Sequence, residues 1–278
     1  MTPSPSPPPA VDRQLRRLRL GNAGLAVLHL AQAIVILLLA NDFSLPVTGA
    51  FLNAQPGSPI PPQETLFDLP VGIAVAAFLL LAAIDHALVA APGVHGWYER
   101  RLLAGESPAR WIEYSLSATL MIILIAMLTG VADIGAIIGI AGANVAMILF
   151  GWLMERANRD REGGIDWLPF IFGSIAGAVP WIIVTVSIVG SVTDGGGPPA
   201  FVYGIFVSLL ILFFSFAVNQ ALQFARKGPW RRRFTAEWGY RACWPGRCSP
   251  TPWCCSRHGG RDGRVREADP PFPRAAGG

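Results

Sequence analysis

The residues best suited to chemistry in this chain lie inside apolar runs. His29 and Gln32 stand three positions apart, so a helix places them on one face. Asp85 and His86 are neighbours in a second run, Glu113 follows Arg110 by three positions in a third, and Asn219 and Gln220 close the last one. An ionisable group away from the ends of a membrane helix is costly, and its default reading is functional. Imidazole titrates near neutral pH and suits proton relay, whereas a buried carboxylate suits pairing with a buried cation. Plainer readings stay open beside these. His29 and Gln32 can form a helix–helix hydrogen bond, and Asp85 can pair near His86 or with Arg110. Several such groups in one layer favour a polar cavity, with Glu113 first among them.

A second cluster lies near the C-terminal end: Cys243, Cys248, Cys254, Cys255 and His258. Cysteine and histidine at short spacing can hold zinc. Adjacent Cys254 and Cys255 are awkward for one tetrahedral ion, so no metal is assigned. The chain carries no credible pairing of nucleophile and base and no phosphate loop, and no enzyme activity is expected.

The elements that must position these groups are membrane helices. Charged residues make up only 14% of the chain, and the mean hydropathy is +0.44, which is wrong for an ordinary soluble domain of this size. A helical span needs about 20 apolar residues. Six stretches qualify: 20–40, 69–91, 107–131, 133–153, 167–190 and 201–222. Each is continuous rather than alternating, which excludes barrel strands. The Pro- and Ser-rich residues 1–12 read as a disordered extension. The first span is too long for a signal core.

All 22 Lys and Arg fall before span one, between spans two and three, between spans four and five, or at and beyond the end of span six. The alternate loops, 41–68, 131–133 and 191–200, carry none. This asymmetry predicts a multi-pass protein of the cell membrane with its N-terminus in the cytoplasm. It also accounts for the basic balance without nucleic acid as a partner; the lipid bilayer suffices. Alternating span direction then puts His29 roughly 15 Å from the cytoplasmic end of its helix, with His86, Glu113 and Asn219 at similar depth. Loop 41–68 is the one long outside connection, and a functional loop and a plain solvated one are equally good readings. Gly135-xxx-Gly139 and Gly173-xxx-Gly177 predict close helix packing. Pro180 predicts a kink, with Trp181 beside it facing a pocket or lipid.

The run Arg110-Trp111-Ile112-Glu113-Tyr114-Ser115-Leu116-Ser117-Ala118-Thr119 resembles the heliorhodopsins. So do Leu28-His29-Leu30-Ala31-Gln32, His86, Asn144, the segment from Phe213 to Gln220, and Gly228-Pro229-Trp230. The resemblance covers about residues 13–230. It implies a seven-helix, retinal-binding light sensor, often dimeric, with its N-terminus inside and without ion pumping. In that family all-trans retinal forms a protonated Schiff base with a lysine of helix seven. By resemblance Glu113 is the carboxylate counterion, and His29, Gln32, His86 and Asn144 belong to the polar cavity that stores or relays a proton. Trp181 and Phe214 are candidate walls of the retinal pocket. Loop 41–68 matches a segment that forms strands and contributes to a homodimer; the signalling partner is unknown.

The departure from that pattern is at helix seven. Past Lys227, the only lysine, there is no Leu, Ile, Met, Asn or Gln. Lys227 belongs to a basic cluster at the end of span six, not to the centre of a bundle, and no apolar run of spanning length follows. Covalent attachment of retinal is therefore not expected in this chain. Codons for Cys and Trp begin with TG, so read two bases along they give Leu, Met or Val. Residues 228–278 accordingly read as a disordered tail out of frame from near Trp230, and Gly246-Arg247 can conceal an AAG codon. The bundle proper is 13–227. Two further functions remain to be weighed: a chromophore-free membrane protein acting through dimerisation or a partner, and a light-driven proton or ion transporter, which the absence of a continuous carboxylate series ranks last.

Overall fold

The computed structural model describes residues 9–159, 161, 163–226 and 230. Among these residues seven helices and one hairpin follow in order: α1 (Pro9–Leu39), β1 (Ser44–Gly49), β2 (Glu64–Pro70), α2 (Val71–Ala90), α3 (Pro92–Leu103), α4 (Pro108–Leu128), α5 (Ile134–Arg159), α6 (Leu168–Thr193) and α7 (Ala200–Ala225). All but α3 are long and apolar enough to cross a membrane, and they correspond one for one to the six expected spans.

Helix α1 begins at Pro9, inside the stretch read as a disordered extension; residues 1–8 lie outside those described. Proline is tolerated in a first helical turn because its missing N–H has no intrahelical partner there. Leu15 and Leu18 then hold the arm by packing on Tyr98 and Leu102 of α3. Helix α3 falls in a stretch expected to be a basic loop. It is too short and polar to register as a span, yet His95, Tyr98 and Leu102 recur at helical spacing and are buried. Gly105, at φ +86°, makes the turn from α3 into α4.

The connection 41–68 is not a plain loop. Strands β1 and β2 pair antiparallel from Ser44 with Pro70 to Gly49 with Glu64, with an irregularity between Val47 and Thr48. Pro46 is accommodated because a two-stranded sheet is all edge. Val47 points inward and packs on Met127 of α4 and Ile137 of α5. The Thr48 backbone N–H donates to Ala132 O at 2.8 Å, which fastens the hairpin to the tight α4–α5 turn.

The core lies between α4, α5 and α6, where Ile122, Ile125, Ile140, Trp181, Val184 and Ile188 pack together. Of the two glycine pairs, Gly173 and Gly177 do face α5: a Cβ at Gly177 would sit 2.5 Å from Met147 Sδ, and one at Gly173 3.1 Å from Phe150 Cβ. The other expectation fails, since a Cβ at Gly139 would meet nothing within 4 Å. Pro180 is buried within α6, which remains helical on both sides of it. Helix α7 packs on the rest through few residues, and Phe201, Val207, Ile211, Phe214 and Val218 are exposed along it.

Candidate functional site

Helices α1 and α2 bring the two candidate histidines together. The rings of His29 and His86 stack at 5.7 Å between centroids and 13° between planes. His29 Nδ1 lies 3.0 Å from Gln32 Oε1, one turn along the same helix. The two residues were expected on one helical face and do meet there, but their contact is within α1, not the helix–helix bond of the plainer reading.

Glu113 belongs to the same region. A cavity of about 30 Å³ is lined by Asn22 of α1, Asp85 and His86 of α2, and Ser107, Arg110 and Glu113 around the start of α4. That volume suits a water molecule or two. Glu113 is buried, and its Oε1 has no hydrogen-bond partner among the described residues; the same is true of Asn22 Nδ2 and Ser107 Oγ. Of the residues expected in the polar cavity, His86 lines this one, and His29, Gln32 and Asn144 do not. Asn144 is fully buried on α5, where its Nδ2 donates to Thr119 Oγ1 at 2.9 Å.

Sequence reasoning missed Glu155. It was passed over because span four was expected to stop at Leu153, whereas α5 continues to Arg159 and carries Glu155 inward, where it is 3% exposed. Its carboxylate accepts from Arg110 Nη2, from the Ser107 backbone N–H at 3.0 Å and from Trp111 Nε1 at 2.8 Å. The sequence signal was a carboxylate two residues past an apolar run, in a protein where such groups are rare. Close by, Glu106 accepts from Arg159 Nη1 at 2.7 Å and from Arg101 Nη1 at 3.4 Å. Helices α3, α4 and α5 are thus tied at their basic ends.

Trp111 joins this network to a larger, apolar cavity of about 170 Å³ between α4, α5, α6 and α7. Its indole lies so close over Gly151 that a Cβ there would stand 2.4 Å from Cζ3. Gln220 Nε2 of α7 donates to Gly151 O at 3.1 Å on the same level. Trp181 and Phe214 both line the cavity. Trp181 is buried against Phe206 and Phe213, while Phe214 stands at the mouth, 58% exposed. Asn219, also buried, accepts from Trp230 Nε1 at 2.6 Å. Trp230 is therefore packed on the bundle and does not belong to a disordered tail. Lys227, all four cysteines and His258 lie outside the described residues.

Six apolar helices around a buried carboxylate, stacked histidines and an aromatic-walled cavity define a rhodopsin-like, multi-pass membrane protein. The heliorhodopsin family model matches residues 18–241, and the chain belongs to that family. No curated protein matches it. The match continues past Trp230, near which the change of frame was expected, and ends at Arg241. The family's chromophore is retinal. The apolar cavity walls suit a polyene, and a buried carboxylate, Glu113, lines the small polar cavity that shares Tyr114 with it. The covalent link does not fit, because no lysine occurs in any of the six spans.

Proposed function

We propose that this chain is a heliorhodopsin-type light sensor lacking its point of covalent attachment. The observation that carries the reading is a mismatch: cavity walls and a buried carboxylate are in place, and the only lysine is Lys227. In this reading the N-terminus is cytoplasmic, as the arginine asymmetry favours, the location is the cell membrane, and no ion is pumped. The hairpin, with Phe51, Ile60 and Phe67 exposed, is the face of a homodimer. When bound, retinal supplies light absorption; this chain supplies an apolar seat and Glu113. The test is to add all-trans retinal to the purified protein, wash, and reduce with borohydride. The expected result is no visible band that survives washing and no chromophore on the polypeptide. A stable band that moves on Glu113→Gln overturns the proposal.

A second reading concerns the gene and is favoured by the point where the family match stops. Beyond Arg241 the genetic code forces several residues in the frame read two bases along. The codon ending in Trp244 becomes leucine and that of Pro245 alanine, whatever the third bases. Cys254 likewise becomes valine and Cys255 leucine, and Cys243, Cys248 and Trp253 each become Leu, Met or Val. Arg247 becomes lysine if the underlying bases are GGA followed by AGA or AGG. We infer a change of frame at or just after Arg241 that hides an apolar helix with an amine within it. The nucleotide sequence decides this: an open apolar run of about 20 codons is expected, and a stop codon within it or a different residue at the Arg247 position removes the inference.

A further inference from the structure

Helix α1 carries a feature that the chromophore site does not use. It has 31 residues, about 46 Å at ~1.5 Å per residue, against a hydrocarbon core of ~30 Å. Counting back from Leu39, the apolar core is filled by about residue 20, so the first turns of the helix project beyond it. Along its length one face is open. Leu20, Val27 and Leu38 are 64%, 70% and 79% exposed, and they recur at the spacing of a single helical stripe. This is a face for lipid tails. Continued two turns toward the N-terminus, the same stripe is Arg13, Arg16 and Arg17, all exposed. Leu15 and Leu18 hold the opposite face against α3, so the arginine face cannot turn inward without unpacking them.

Helix α3 supplies a second sign of depth. Leu15 and Leu18 pack on Tyr98 and Leu102, and Tyr98 is the chain neighbour of the exposed Trp97. A half-exposed tryptophan is characteristic of the membrane–water interface. The three arginines make no ion pair among the described residues; exposed Asp12 is the one acidic neighbour on the arm. Guanidinium groups at headgroup depth, over a stripe of exposed aliphatic side chains, have phosphate oxygens as their natural acceptors and can take them two at a time.

We propose that the Arg13–Arg16–Arg17 stripe of α1 binds the headgroups of anionic phospholipids. It rests on α1 and α3 alone, so it holds whether or not the protein takes up retinal. The test uses the full chain in nanodiscs of mixed phosphatidylglycerol and phosphatidylcholine. Lipids retained after detergent extraction are counted by native mass spectrometry. The unaltered protein is expected to retain phosphatidylglycerol in excess and to keep it when inorganic phosphate is added. Arg13→Gln, Arg16→Gln and Arg17→Gln should each reduce that excess roughly fivefold. The triple lysine variant, which keeps the charge and so the orientation, should fall between the unaltered protein and the glutamine variants. Equal retention of the two lipids by the unaltered chain overturns the proposal. So does an excess that survives all three single substitutions, or one that free phosphate removes.

Discussion

Glu155 concentrates more of the site's geometry than any residue chosen for its chemistry. It satisfies Arg110, the backbone of Ser107 and the indole of Trp111 at once. A buried guanidinium left without its carboxylate is costly, so Glu155→Ala should destabilise the protein by about 3–5 kcal/mol, read as a fall in the detergent melting temperature. Replacing both partners, Arg110→Met with Glu155→Leu, should cost less than the sum of the single changes; additive losses would mean that the pair does not act as a unit. Gly151→Ala tests the neighbouring contact. Its new methyl meets the Trp111 ring, and overpacking of this kind costs about 1–3 kcal/mol. The same measurement checks it, and an unchanged melting temperature would show that the ring can move aside.

At the scale of elements, the hairpin and α3 decide how the spans are tied. The hairpin's hold on the bundle is the Val47 contact and the Thr48 N–H bond to Ala132 O. Thr48→Pro removes that donor. It should cost about 1–3 kcal/mol and speed proteolysis between residues 50 and 63, whereas Thr48→Val, which loses only the exposed bond to Gln63 Oε1, should change little. Helix α3 fixes the α1 arm through Leu15, Leu18, Tyr98 and Leu102. It was invisible to a search for long apolar runs, because its burial depends on three side chains that meet partners distant in sequence.

For the whole molecule, six crossings put the N-terminal arm and the hairpin on opposite sides of a membrane. In a background without the four native cysteines, Gln14→Cys and Asn53→Cys should react with an impermeant thiol reagent from opposite faces of sealed vesicles. Labelling of both from one side would break the six-span topology. Helix α7 and the outer stripe of α1 leave much aliphatic surface open, as suits contact with lipid tails. Polar groups at the basic end, by contrast, are enclosed: Glu155 gathers Arg110, Ser107 and Trp111, while Glu113 Oε1 and Asn22 Nδ2 have no hydrogen-bond partner among the described residues.

Length and hydropathy alone determined six spans, because each helix meets its own backbone hydrogen bonds and needs only about 20 apolar residues to cross. The turn-spaced pair His29 and Gln32 was likewise legible, since contacts three residues apart follow from helical geometry. Tertiary structure decided what no spacing encodes: the stacking of His29 on His86, the bond from Asn144 to Thr119, and the capture of Arg110 by Glu155, 45 residues away. It also decided that Gly177 is a close contact and Gly139 is not. The reason is physical: a side chain's partners across helices depend on which faces meet, and that is set by packing of the whole bundle rather than by any single run of residues.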